Sequence, residues 1–305
     1  MTHRQAVWVM VAAALMWSIA GVVTRHLEAA RGFELTFWRS AFNALALVVL
    51  LSVWRGPAVL WASLRSGGRA LWLSGVCWAV MFTAFMLALT LTTVANVLVT
   101  MSIGPLLTAL GARLAVGHRL PARTWGAIAI AAAGIAWMYG QGVSGSDPRH
   151  LLGTAVALAV PVAAAVNWTL LQHLKGQDNP PDMLSAVLIG ALLSAAVALP
   201  LAWPLSASAH DLGLLGLLGV VQLAIPCLMA VAAAKVLSGP ESALLSLLEV
   251  VFGVLWAWLG AGETPSAAVL GGGALVLAAL AGNACWALRS PSAGVAVLPT
   301  KPRGQ

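Results

Sequence analysis

Apolar runs, each about as long as the ~20 residues a helix needs to cross a bilayer, follow one another along the whole chain, and short polar segments separate them. Read with a window of about 19 residues, the pattern predicts spans near Ala6–Val23, Leu35–Val53, Ala70–Leu89, Val94–Val116 and Trp125–Tyr139. Five more are predicted near Leu151–Leu171, Met183–Trp203, Leu212–Val236, Ser242–Leu259 and Ala267–Leu288. The segment Met1–His26 has the basic start and apolar stretch of a signal peptide. Many similar runs follow it, so a first, uncleaved span is the more economical reading. The tail from Ser290 to Gln305 is polar, contains Pro and Gly, and is expected to be disordered.

Composition sharpens this picture. The 305 residues are 61% hydrophobic and 8% charged, against ~25% charged in soluble domains, so there is too little charge to build a water-facing shell. The net charge of +7 comes from 16 Lys and Arg scattered as ones and twos, without the basic stripe or arm that nucleic acid requires. Cys77, Cys227 and Cys285 each lie in an apolar run, without disulfide or zinc spacing. Ten spans put both termini on one side. With that side cytoplasmic, only Arg25, Arg31, Arg39 and Arg149 fall outside and the other basic residues fall inside, as the positive-inside rule demands. Arg greatly outnumbers Lys and Ala is abundant, which points to a GC-rich bacterial source and an inner (plasma) membrane location.

The segments Val94–Gly134 and Gly239–Ala279 share a layout at an offset of about 145 residues, which sets Pro105 on Val250, His118 on Glu263 and Gly126 on Gly271. Each half, 1–143 and 150–289, holds five predicted spans. A repeated half with an odd number of spans must insert upside down, giving the inverted repeat of many secondary transporters. The FWR of Phe37–Arg39, the run IGPLLTALGARLAVGHRL in the fourth span and LLSLLEVVFGVLWAWLGAGETP in the ninth resemble the EamA-like, ten-span branch of the drug/metabolite transporter superfamily. The chain departs from the family's pairing of a mid-span Pro with a later loop Glu. The first copy has Pro105 but His118, and the second has Glu263 but Val250. The resemblance implies an all-helical secondary transporter, usually an exporter, of small organic metabolites such as amino acids or related solutes.

Candidate chemistry follows from polar residues where lipid surrounds the chain, since a charge at a helix centre costs about 2.5–3.5 kcal/mol on insertion scales. Glu249 is the only acid well inside a predicted span, and Ser242, Ser246, Glu249, Gly253 and Trp256 share a helix face. Its two readings are a proton-coupling or cation-recognising carboxylate and a structural Glu bonded to neighbours. The fourth span carries a matching face, Asn96, Thr100, Gly104, Thr108 and Gly111, interrupted at Gly104-Pro105, where proline frees the carbonyl of Met101. Such broken helices build many transporter sites. Arg39 and Asn43, one turn apart, are candidates for a gate. Asn167, Trp168, Gln172 and Gln222 stand in apolar runs, ready either for substrate or for bonding one helix to another. Trp17, Trp78 and Trp168 are the deep tryptophans chosen as cavity walls, and those near span ends fit an aromatic belt.

Enzyme readings are thin. Gly142-Val143-Ser144-Gly145 matches a protease-like GxSG string without an intramembrane His, and His173 to Asp178 spells HxxxxD in a loop. No metal cluster or phosphate loop is legible, and no cofactor is implied. The sequence therefore reads as a transporter whose partners are the bilayer, a small solute, and a proton or counter-solute. The alternative is a membrane-embedded enzyme or a non-transporting receptor or scaffold.

Overall fold

A computed structural model describes residues 1–92, 94–117, 120–140, 148–175, 177, 181–261 and 266–289. Their regular structure is entirely helical. The first half comprises α1 (His3–Trp17), α2 (Ala20–Thr24), α3 (Phe33–Arg55), α4 (Pro57–Ser66), α5 (Arg69–Leu91), α6 (Val94–Met101), α7 (Gly104–Val116) and α8 (Ala122–Tyr139). The second comprises α9 (Pro148–Lys175), α10 (Leu184–Ala202), α11 (Ala209–Leu217), a π-helical segment (Leu218–Ala224), α12 (Ile225–Ala234), α13 (Gly239–Ser246), α14 (Leu248–Ala261) and α15 (Ala267–Arg289).

Local chemistry sets the ends. Thr2, Ser208 and Ser238 each form a capping box with the residue three positions on, opening α1, α11 and α13. Gly56, at φ 85°, ends α3, and Pro57 starts α4 immediately after. The hydropathy pattern left this ten-residue helix as a connection because it is too short to span. It presents exposed Val59 and Trp61 and buries Leu60. Arg65 lies over the Trp61 ring at 4.9 Å, as befits a helix at a membrane surface.

Eight spans, the π segment and α12 counting as one and α13 and α14 as another, pack in a closed circuit: α9 on α5, α5 on α10, α10 on α3, and α3 on the π segment. The circuit continues from α12 to α1, from α1 to α13 and α14, from α13 to α7, and from α7 back to α9. Exchanging the two halves reproduces these adjacencies: α12 lies on α1 as α5 lies on α9, and α3, α7 and α8 each pair with their own counterparts, α10, α13 and α15. The pair α8 and α15 stands outside the circuit. A Cβ on Gly272 would fall 2.3 Å from the carbonyl oxygen of Gly134, and one on Gly134 would fall 2.7 Å from that of Gly272, so the two backbones touch. Outward faces are apolar, with Val53 and Leu114 each 77% exposed, which only lipid accommodates in such number.

Among the described residues, eight helical stretches are long and apolar enough to cross a membrane. The ten spans read from the sequence thus stand at eight by this measure, and the shortfall lies in α8 and α15. α8 has only 18 residues, and among the described residues the apolar stretch of α15 runs from Ala267 to Asn283. The 290–305 tail, His118, Glu263, the GxSG string and Asp178 lie outside the described residues.

Candidate functional site

Three of the ring's spans are broken near their middles. The hydroxyl of Ser18 donates back to the Leu15 carbonyl (2.6 Å), that of Ser102 to Val99 (2.6 Å) and that of Ser246 to Ala243 (2.7 Å). Each offers the chain an alternative to the next helical turn. After Ser102 the amide of Ile103 tightens onto Thr100, and after Ser246 that of Leu247 tightens onto Leu244. Gly104-Pro105 marks the first of these two breaks in the sequence. The second has no proline, and the serine is its only legible cue. A fourth irregularity precedes Pro226, whose ring would clash with the Gln222 carbonyl. The chain widens to π geometry there, and Ile225 N–H reaches back to Val220.

These breaks face one another. The carbonyl of Trp17, at the α1 break, accepts from Gln222 Nε2 of the π segment at 3.2 Å, and Trp256 Nε1 donates to Ser18 Oγ at 3.0 Å. Gln222 thus bridges two helix irregularities through Nε2, while its Oε1 has no partner among the described protein atoms. Between α6, α7, α9, α13 and α14 lies a cavity of about 60 Å³, lined by Gly104, Pro105, Thr108, Pro161, Trp168, Ser246 and Glu249 among others. The structure thus brings Glu249, Ser246, Gly104, Pro105 and Trp168 onto one wall system. Thr100 is half-buried and off that wall, and the side chain of Asn96 lies outside the described residues.

Aromatic rings connect this cavity to the candidate gate. Trp168 meets Trp78 edge-on at 6.3 Å, and Trp78 meets Phe82 at 5.6 Å. The Phe82 carbonyl in turn accepts from Arg39 Nη2 at 3.1 Å. Arg39 is only 2% exposed, so its side chain is packed against protein. No carboxylate among the described residues lies within ion-pair distance of it. Its Nε, both polar atoms of the fully buried Asn43, and the indole N–H of Trp78 have no partner among the described protein atoms. At about 1–3 kcal/mol for each unsatisfied buried group, such a cluster is costly, and costs of this kind concentrate at functional sites. Asn167 accepts from Ser74 Oγ at 2.6 Å, and Gln172 accepts from the Gly239 amide at 2.7 Å, so both amides hold helices together.

At the two ends of the α3–α10 pair, acids fasten the connections. Asp211 accepts from the amides of Glu28, Ala29, Ala30 and Ser208. Glu34 accepts from the Ser206 amide and hydroxyl, the Ala207 amide and the Trp38 indole. At the other end, Arg55 pairs with Asp182. A second, larger recess of about 290 Å³ opens there, lined by Arg55, Leu171, Lys175, Asp182, Met183, Val231 and Lys235 among others. The sequence reading used these cations only to orient the chain, because their convergence comes from three separate helix ends.

An apolar exterior around an interior that holds Arg39, Asn43 and Glu249 defines a multi-pass membrane protein with a polar centre. The model of the EamA-like transporter family matches residues 4–140 and 151–285, and the chain belongs to that family, within the drug/metabolite transporter superfamily. It is a membrane transporter of that superfamily. No curated protein matches it. A solved structure described only as "Crystal structure of protein" shares its fold at a TM-score of 0.77, with 21% identity over 94% of this chain and 98% of that one.

Proposed function

We propose that this protein is a secondary exporter of a small organic solute, an amino acid or related molecule, which moves through the interior of the helix ring by alternating access. In this reading the chain crosses the membrane ten times, with α8 and α15 as the two spans outside the ring. The halves 1–143 and 150–289 insert in opposite orientations. The antiparallel run of α3 against α10, from the Glu34–Ser206 contact to Arg55–Asp182, supports that inversion. In this reading that end, and both termini, face the cytoplasm of a bacterial inner membrane, which the excess of basic residues at the Arg55 end supports.

The observation that carries the reading is the cavity where Glu249 and Ser246, at one helix break, face Gly104-Pro105 at the other. Its 60 Å³ falls well short of the ~300–1,000 Å³ of a site that encloses a small ligand. Passage therefore requires the halves to move apart, and breaks at mid-span are where helices bend. Glu249 then binds the solute's cationic group or carries a coupling proton, Arg39 and Asn43 gate the path, and Trp17, Trp78 and Trp168 wall it. A scaffold has no use for a carboxylate beside an internal cavity.

Untargeted metabolite profiling of cells and medium tests this. Cells expressing the natural chain are expected to accumulate one solute class in the medium relative to an empty vector, and Glu249→Gln to lower that accumulation at least tenfold. Equal export by both proteins would return Glu249 to a structural role. If the membrane-inserted natural chain shifts no metabolite, the exporter reading fails.

A further inference from the structure

The recess at the Arg55 end collects charge of one sign. Arg55 closes α3, Lys175 closes α9 and Lys235 follows α12, and all three line it, against a single acid, Asp182. The three do different work. Arg55 is paired with Asp182, Lys175 donates to the Val236 carbonyl, and the Lys235 ammonium has no partner among the described residues. The floor is apolar, formed by Leu171, Met183 and Val231 with their neighbours.

Its position in the ring gives the recess a meaning. Leu171 lies one turn along α9 from Trp168 of the central cavity, and Val231 lies one turn along α12 from the fully buried Cys227. One turn is about 5.4 Å. The recess therefore stands directly beneath the polar centre, enclosed by helix ends from both halves. The opposite end of the α3–α10 pair is drawn shut by Glu34 and Asp211. It is bounded by the ends of four helices of the circuit, α3, α9, α10 and α12.

We propose that the recess is the entry vestibule for the transported solute, and that it selects molecules carrying a carboxylate, sulfonate or phosphate on an apolar body. Lys235 and Lys175 take the anionic group, while the apolar floor holds the rest one turn below Trp168. The unpartnered Nε of Arg39 and amide of Asn43 are the next polar station inward. The inference rests on the exporter reading for its direction, and adds to it the solute's charge class.

The test uses full-length protein in phosphatidylcholine vesicles, with Pro181→Cys placing a half-buried thiol on the recess wall. Labelling by a neutral maleimide is corrected for the unsubstituted chain, whose Cys77 and Cys227 are buried. Naphthalene-1-sulfonate is expected to slow labelling at least tenfold, and naphthalene-1-methylammonium to leave it unchanged. Adding Lys175→Gln and Lys235→Gln should abolish protection, and Lys235→Arg alone should preserve it. Equal protection by both probes, protection by neither, or protection indifferent to the glutamine substitutions would overturn the proposal. So would protection by phosphatidylglycerol vesicles alone, which would assign the cations to a lipid headgroup. The two readings fail separately. A neutral or cationic solute found by profiling would leave export standing without the anionic vestibule, and sulfonate protection in a chain that exports nothing would leave a binding site without a transporter.

Discussion

Arg39 and Glu249 are an arginine and a carboxylate held inside one ring without touching. Neither is compensated as well as a bonded ion pair, and each offsets part of the other's field. Removing one partner of a buried charge pair leaves the other uncompensated, whereas removing both often costs little. Arg39→Gln and Glu249→Gln are each expected to lower the thermal midpoint of the purified protein, and the double variant to lie above the poorer single variant. Strict additivity in this double-variant cycle would mean that the two charges do not sense each other. Glu249 was conspicuous in the sequence as an acid in an apolar run, and so was Arg39. What the sequence did not carry was the depth of Arg39. Its position near a predicted span end allowed it to reach the surface, and only the packing of α5, which brings the Phe82 carbonyl to it, keeps it inside.

Helices in this molecule meet through missing side chains and bend through serine hydroxyls. Among the three consecutive glycines of α15, a Cβ on Gly272 would meet the Gly134 oxygen at 2.3 Å, while a Cβ on Gly273 meets nothing within 4 Å. Gly272→Ala should therefore destabilise the protein by about 1–3 kcal/mol, the usual cost of overpacking, and Gly273→Ala should be neutral in the same unfolding measurement. Equal effects would show that the α8–α15 contact is not tight. A run of three glycines permits close approach wherever it stands, but its partner needed the fold. The same split runs through the breaks. Gly104-Pro105 could be read directly, because proline removes a donor wherever it stands. The break before Glu249 and the one after Trp17 rest on serines, which also sit quietly in many unbroken helices. The π turn was hidden because a proline's consequence lies four residues upstream, at Gln222.

At the scale of the whole molecule, the two ends of the α3–α10 pair are fastened by different physics. The Glu34 end is held by carboxylates accepting backbone amides, with Glu34 and Asp211 almost wholly buried. At the other end, Arg55 and Asp182 keep roughly a third and a quarter of their side-chain surface exposed, and ionic strength screens such pairs. Amide hydrogen exchange is thus expected to accelerate at 183–187 as salt rises from 0.05 to about 0.5 M, while exchange at 28–30 and 206–208 stays unchanged. Acceleration at both ends would mean that the difference in fastening does not govern which end opens. Family membership and helical class were legible along nearly the whole sequence, whereas this asymmetry was not, because Asp211 and Glu34 read as ordinary loop acids until the loops are folded.

The Asp211 clasp takes hold of Glu28, Ala29 and Ala30 by their amides alone. Every residue but proline supplies that amide, so the clasp is indifferent to which side chains the strap carries. The exposed side chains at Glu28 and Ala29 are free to drift toward whatever the surroundings of that face favour, while the closure they take part in depends on the single carboxylate of Asp211.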